Sequence, residues 1–164
     1  MMELFHQGLL LQVVAALYLA GFAFFAVSLS IADIRWHRLP NRLVLAWTLY
    51  SVALLLGVSV LRSDYQALLW ALLASLILGG CYLLLSICGG GAMGMGDVKL
   101  AAVLGLNLGY FSLGSVLFAT IVAFISASLL VLIGMLLRRL TLRSRVPFGP
   151  FMIFGAGLAL FMTT

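Results

Sequence analysis

Long apolar runs separated by short polar or glycine-rich breaks organise this chain. A membrane-spanning helix needs about 20 mostly apolar residues, and the runs recur at that scale. The first extends from Gly8 to Ala32, the second from Leu43 to Leu61 and the third from Ala67 to Cys88. The glycines between Gly89 and Gly96 then break the helical pattern. A fourth run resumes at Asp97 and ends near Leu108. It is short for a full crossing unless it continues through Tyr110 or is shielded by its neighbours. The fifth run, Leu113 to Leu137, is unambiguous, and the sixth follows Pro147 to the vicinity of Thr164, at the lower limit of length. Pro147 and Pro150 suit the first turn of a helix, where a missing N–H costs little. The pattern predicts an all-α, polytopic membrane protein with six transmembrane helices, and residues 1–164 as a single membrane-embedded domain.

Composition agrees with that reading. Hydrophobic residues make up 65% of the chain and charged residues 8%, against about 25% charged in an ordinary soluble domain. Such a chain cannot cover its own surface in water. The formal net charge of +5 suggests nucleic acid only until its placement is examined. Arg35, Arg38 and Arg42 lie between the first two runs, Lys99 follows the glycine break, and Arg138, Arg139, Arg143 and Arg145 lie between the fifth and sixth. All fall on one side of six alternating spans, and only Arg62 falls opposite. The positive-inside rule makes that side cytoplasmic and puts both termini outside. This predicts an inner-membrane protein with no nucleic-acid partner. The Arg138–Arg145 segment is expected to touch anionic headgroups of the membrane lipid.

Cys81 and Cys88 stand two turns apart on one helix, too far to bridge to each other. They read as small buried hydrophobes, and no CxxC or histidine cluster points to a metal. The N-terminus lacks a basic segment and a small-residue cleavage site, so the first apolar run is expected to be retained.

The chemistry resides in the acids. There are four, Glu3, Asp33, Asp64 and Asp97, and Asp33 and Asp97 both fall at the cytoplasmic edge of the expected topology. A carboxylate at a membrane boundary is costly unless hydrated, paired or used. Each has a plainer reading. Asp97, just after glycine, suits a helix cap, and Asp33 suits a solvated helix-end charge beside arginines. Gly94 and Gly96 permit backbone angles closed to other residues and a close approach by another chain, as an extended peptide substrate or a tight re-entrant turn would need. Pro40 stops the first helix, and Asn41 is placed to cap the second. His37, four residues from Asp33, reads as an interfacial side chain. Two nearby carboxylates would share a proton, one serving as general base and the other as general acid. Such a pair needs no metal or cofactor. The spacing alone does not bring the two side chains together.

Three patches carry a resemblance to a known family: Asp33 to Asn41 with its Pro-Asn ending, Gly94 to Leu100 reading GMGDVKL, and Pro147 to Phe151 reading PFGPF. In this order, at the ends of hydrophobic spans, they resemble the type IV prepilin peptidases, membrane aspartyl proteases of the GxGD class. The resemblance covers nearly the whole chain and implies catalytic roles for Asp33 and Asp97, with Gly94 and Gly96 shaping the loop. It implies type IV pilin-like precursors as substrates, cut at the cytoplasmic membrane face, usually after a glycine and shortly before a glutamate. Lys99, Arg35, Arg38 or Arg42 is expected to position that glutamate, and Pro40 and Asn41 to shape the site. The compact form looks like the Tad/Flp type, with the archaeal preflagellin peptidases as the alternative. The N-terminal four-cysteine region of longer members has no counterpart here, so methyltransferase activity is not expected.

Two other classes compete. A proton-coupled transporter would also place carboxylates and glycine-broken helices in a membrane. It should also place polar groups at mid-span, where Gln12 and Asn107 are more simply satisfied by backbone or neighbouring helices. A non-enzymatic assembly scaffold is the other class. The Gly105–Gly109 spacing predicts close helix packing, within the chain in the simpler case or across a homodimer in the other. Trp36, Trp47 and Trp70 are expected at interfaces or in packing.

Overall fold

The computed structural model describes residues 2–36, 38–89, 93–138 and 146–163. Among them the chain forms six α-helices: α1 (Met2–Trp36), α2 (Asn41–Arg62), α3 (Tyr65–Cys88), α4 (Met95–Gly109), α5 (Leu113–Leu136) and α6 (Gly149–Thr163). Each apolar run of the sequence becomes a helix with ends displaced by a few residues. Four of them, α1, α2, α3 and α5, are long and apolar enough to cross a membrane. The helices α4 and α6 have 15 residues each, about 22 Å at 1.5 Å per residue, and fall short of that length. In α4 every residue from Val103 to Gly109 is buried, so neighbours shield it from lipid.

The buried face of α4 depends on residues without bulk. A Cβ at Gly105 would lie 2.7 Å from the Ala74 carbonyl oxygen, and one at Gly109 would collide with the Ala74 side chain. Small residues let two backbones approach in a medium that offers no hydrophobic drive between helices. The expected intramolecular packing of Gly105 and Gly109 is therefore what the bundle shows, between α4 and α3. Around this pair the core is filled by Leu29, Trp47, Leu100 and Leu108, all essentially inaccessible. Trp47 stacks on Phe25 and meets Phe22 edge-on, while Trp36 and Trp70 are exposed. Asn107 is buried but satisfied: Ser51 Oγ donates to its Oδ1 at 3.0 Å, and its Nδ2 donates to the Val103 carbonyl at 2.7 Å.

Polar contacts define two ends of the bundle. At one, Gly149 of α6 reaches Asp33 of α1, Lys99 of α4 reaches Asn41 of α2, and Ser86 of α3 donates to the Met93 carbonyl. At the other, Ser59 Oγ donates to Tyr110 Oη and the α2–α3 turn passes through Ser63 and Asp64.

Two expectations fail. Cys81 and Cys88 are exposed on α3, because a lipid-facing helix carries small apolar residues on its outer surface as readily as inside. Asn41 does not cap α2. Pro40 occupies the cap position with no side-chain bond, and the Asn41 amide oxygen accepts from Lys99 instead. His37, Arg139, Arg143 and Arg145 lie outside the described residues, so most of the segment expected at the headgroups does too.

Candidate active site

Asp33 sits one turn before the end of α1, and Asp97 sits in the first turn of α4. Their helix ends converge on an open cleft of about 250 Å³, lined by Asp33, Arg38, Leu39, Gly94, Met95, Gly96 and Asp97. The two carboxylates lie close enough for the charge on Asp33 to act on Asp97. The fold thus supplies the proximity that the sequence spacing left open.

The environments of the two carboxylates differ. Asp33 is only 6% exposed, and its Oδ2 accepts the Gly149 backbone N–H at 2.9 Å. That N–H opens α6, where the helix dipole also favours negative charge. The segment Pro147-Phe148-Gly149-Pro150-Phe151 explains how the donor is aimed. The Phe148 ring packs on Phe124 and Tyr82, with centroids 5.2 and 6.3 Å away, which pins the chain just ahead of α6. Gly149 must lack a side chain, since a Cβ there would lie 2.7 Å from Asp33 Oδ2.

Asp97 is half-buried and its carboxyl is pushed up to about 6. Burial is the largest cause, followed by the neighbouring charge of Asp33, and a hydrogen bond with the Gly94 backbone opposes both. The bond to Gly94 is half of a capping box, in which the third helical residue reaches back to the N-cap. The capping reading of Asp97 is therefore correct in part, and it does not compete with placement in the cleft.

The glycines act by size. Gly94 has φ −71° and ψ 145°, angles open to any residue, so the expected special backbone is not what it provides. Gly96 lies within α4, and a Cβ on it would sit 2.9 Å from Leu39 Cβ. Its bareness lets the α1–α2 link cross α4 beside Asp97. Of the other expected site residues, Pro40 is the N-cap of α2. Lys99 and Asn41 bond to each other at 2.8 Å and line a neighbouring groove instead of the cleft. Arg35 is exposed and does not line the cleft, whereas Arg38 does. Gly149 was not singled out from sequence, although the PFGPF patch contains it. A glycine between a phenylalanine and a proline reads as a helix start, and only the fold reveals what its N–H faces.

Four apolar helices of membrane-crossing length define a multi-pass membrane protein, and two of its carboxylates share one small cleft. The chain belongs to the type IV leader peptidase family, whose sequence model matches residues 20–137, and it is accordingly a peptidase. The matched stretch holds both aspartates and ends before Gly149. No curated protein and no solved structure matches the chain.

Proposed function

We propose that this peptidase removes the leader from type IV pilin-like precursors at the cytoplasmic face of the inner membrane, with Asp33 and Asp97 as an aspartyl pair. The observation that carries the reading is the presence of both aspartates in one cleft, close enough for the charge on Asp33 to act on Asp97. The N–H of Gly149 bonds the Asp33 carboxyl, and burial beside the charge of Asp33 favours the protonated form of Asp97. The pair titrates as a unit, and its singly protonated state is the working one.

In that state Asp33 takes a proton from water, and the resulting hydroxide attacks the scissile carbonyl carbon. Asp97 donates its proton to the carbonyl oxygen as the tetrahedral diol forms. On collapse, Asp33 delivers its proton to the departing amine, and Asp97 recovers one from a diol hydroxyl. The carboxyl and amine products leave with the pair singly protonated again. No metal or cofactor enters these steps. Arg35, Arg38, Arg42, Lys99 and Arg138 gather at the cleft end of the bundle, and the positive-inside rule assigns that end to the cytoplasm.

The test is to incubate the purified protein with candidate precursors and locate the cut by mass spectrometry, alongside Asp33→Asn and Asp97→Asn. A single cut after the basic leader, lost in both variants at normal protein levels, is expected. Full processing by either variant would refute the aspartyl mechanism.

A further inference from the structure

At the end of the bundle remote from the cleft, one cation stands against the charge pattern. Arg62 closes α2 there, whereas Arg35, Arg38, Arg42, Lys99 and Arg138 gather at the cleft end. Arg62 lines a slot of about 140 Å³ between α1 and α2, completed by Tyr110, Phe111 and Leu160. On α1 the lining includes one stripe, Leu11, Val14 and Tyr18, and on α2 another, Leu54, Val58 and Arg62. Ala15 and Leu19 at the rim are exposed, so the slot opens sideways to the bilayer. Its lining carries three polar side chains. The Tyr110 hydroxyl is engaged by Ser59 Oγ at 3.3 Å. Asp64, the acid nearest to Arg62 in the chain, accepts from the Ala67 N–H, and among the described residues no carboxylate pairs with Arg62. Tyr18 is 7% exposed, and its hydroxyl has no hydrogen-bond partner among the described residues. Buried tyrosine hydroxyls normally find one, and in a bilayer core no water makes up the loss.

We propose that this slot binds one anionic glycerophospholipid from the leaflet at that end. Arg62 takes the phosphate, the Tyr18 hydroxyl donates to an acyl-ester carbonyl, and the apolar stripes hold the start of the chain. Long side chains on a helix lean toward its amino-terminal end. Because α1 and α2 run in opposite directions, Tyr18 leans toward the remote end and Arg62 leans back over the slot. Their register follows from Tyr50, whose hydroxyl donates to the Leu17 carbonyl, and from Trp47, which stacks on Phe25. That register places Arg62 about ten residues beyond the level of Tyr18, roughly 15 Å along the axis. Side chains reaching in from both ends leave a gap on the scale of a glycerol phosphate. A guanidinium suits a phosphate because its donors form a planar fork, and basic pockets between spanning helices are seats for anionic headgroups. The anionic class follows from charge: Arg62 lacks a carboxylate, and a zwitterionic headgroup would bring a cation of its own. The slot is too small for a whole lipid, so it holds one chain segment and leaves the rest in the bilayer. Tyr18 lies about 22 Å from Asp33 along α1, so the slot is independent of the cleft and its chemistry.

The test uses the full chain in detergent with phosphatidylglycerol or phosphatidylcholine of matched chains, read by native mass spectrometry. One retained phosphatidylglycerol per chain is expected, bound roughly tenfold more tightly than phosphatidylcholine. Arg62→Gln should weaken that binding roughly tenfold, and Tyr18→Phe, which keeps the ring, about threefold. Val58→Trp fills the slot, spares both polar groups and should abolish retention, so the outcome does not hang on Arg62→Gln folding. Equal retention of the two lipids, retention in Val58→Trp, or parental affinity in Tyr18→Phe overturns the site. Phosphatidylglycerol carrying a diazirine near its ester should label residues 14–19 and 54–58. Labelling spread evenly over the other helices overturns the placement. Excess inorganic phosphate should leave the lipid bound, and displacement would reduce the slot to a bare anion site. A lipid-free dimer in place of the lipid adduct would give the slot to a second copy of the chain and overturn the lipid.

Discussion

At the far end of the bundle, Asp64 does the ordinary work of an aspartate at a helix start. Its carboxylate accepts the Ala67 N–H at 3.2 Å, and beyond the next turn Ser112 caps α5 in the same manner through the Gly114 N–H at 3.0 Å. At the cleft end, α2 and α4 begin at Pro40 and Gly94 without a side-chain cap bond from either residue. The aspartates there face a shared cleft, and Asp97 adds to that only a reach back to the Gly94 backbone. The far end is built to close turns. The cleft end gives up caps that typically contribute about 1 kcal/mol each and keeps two carboxylates in mutual range. The difference separates residues that hold the fold from residues that use it.

Asn substitutions provide the most forceful test of that separation. Asp33→Asn and Asp97→Asn should each reduce cleavage by roughly 10²–10⁴-fold, the usual contribution of a positioned acid or base. Asp97→Asn should nevertheless unfold at an unchanged or higher temperature, because it removes a carboxyl whose ionised form the fold disfavours. A large drop in melting temperature for Asp97→Asn would make it a structural residue like Asp64. Next comes Gly149→Ala. The added Cβ pushes on Asp33, and a shift of about 1 Å in a catalytic group can cost roughly 100-fold. The loss should appear in kcat with KM little changed, and an unchanged kcat would remove Gly149 from the site.

The pH dependence tests the asymmetry within the cleft itself. The folded pKa of Asp97 is raised to about 6, so the fold gains stability from its proton below the unfolded value. That gain is lost as pH rises through about 6. Cleavage should fall about tenfold per unit above the upper pKa of the pair, and the stability slope should vanish in Asp97→Asn. A rate that climbs through pH 6 to 8 would show that the doubly ionised pair is active. The smallest effect belongs to the far end. Asp64→Ala should cost about 1 kcal/mol by thermal or denaturant unfolding and leave kcat and KM unchanged.

The helices were legible because runs of apolar residues in a membrane chain leave few alternatives, and the Gly105–Gly109 spacing announced a close helix contact without naming α3 as the partner. The inside and outside of each helix were not legible. Cys81 and Cys88 sit on a helix that is apolar all round, so its sequence does not mark the face turned to lipid. The two aspartates could be named from the motifs that surround them, yet their proximity depends on α1 and α4 ending at the same cleft. Gly149 could not be inferred because its contribution is a backbone N–H, which every residue but proline carries. Among the cations, sequence could not choose: Arg38 lines the cleft, Arg35 does not, and Lys99 lines the neighbouring groove.

The bond from Gly149 to Asp33 joins residues 116 positions apart, and that span has a consequence for biosynthesis. Chains emerge from the ribosome and fold amino-terminal segments first. Asp33 and Asp97 are both present once α4 has been made, but the donor that holds Asp33 arrives only with α6. The proposed aspartyl pair is thus completed late, after α1 to α5 are available to form the bundle. A nascent or truncated chain lacking α6 carries both acids without the support for Asp33, and in pulse-chase experiments it should remain inert toward precursor.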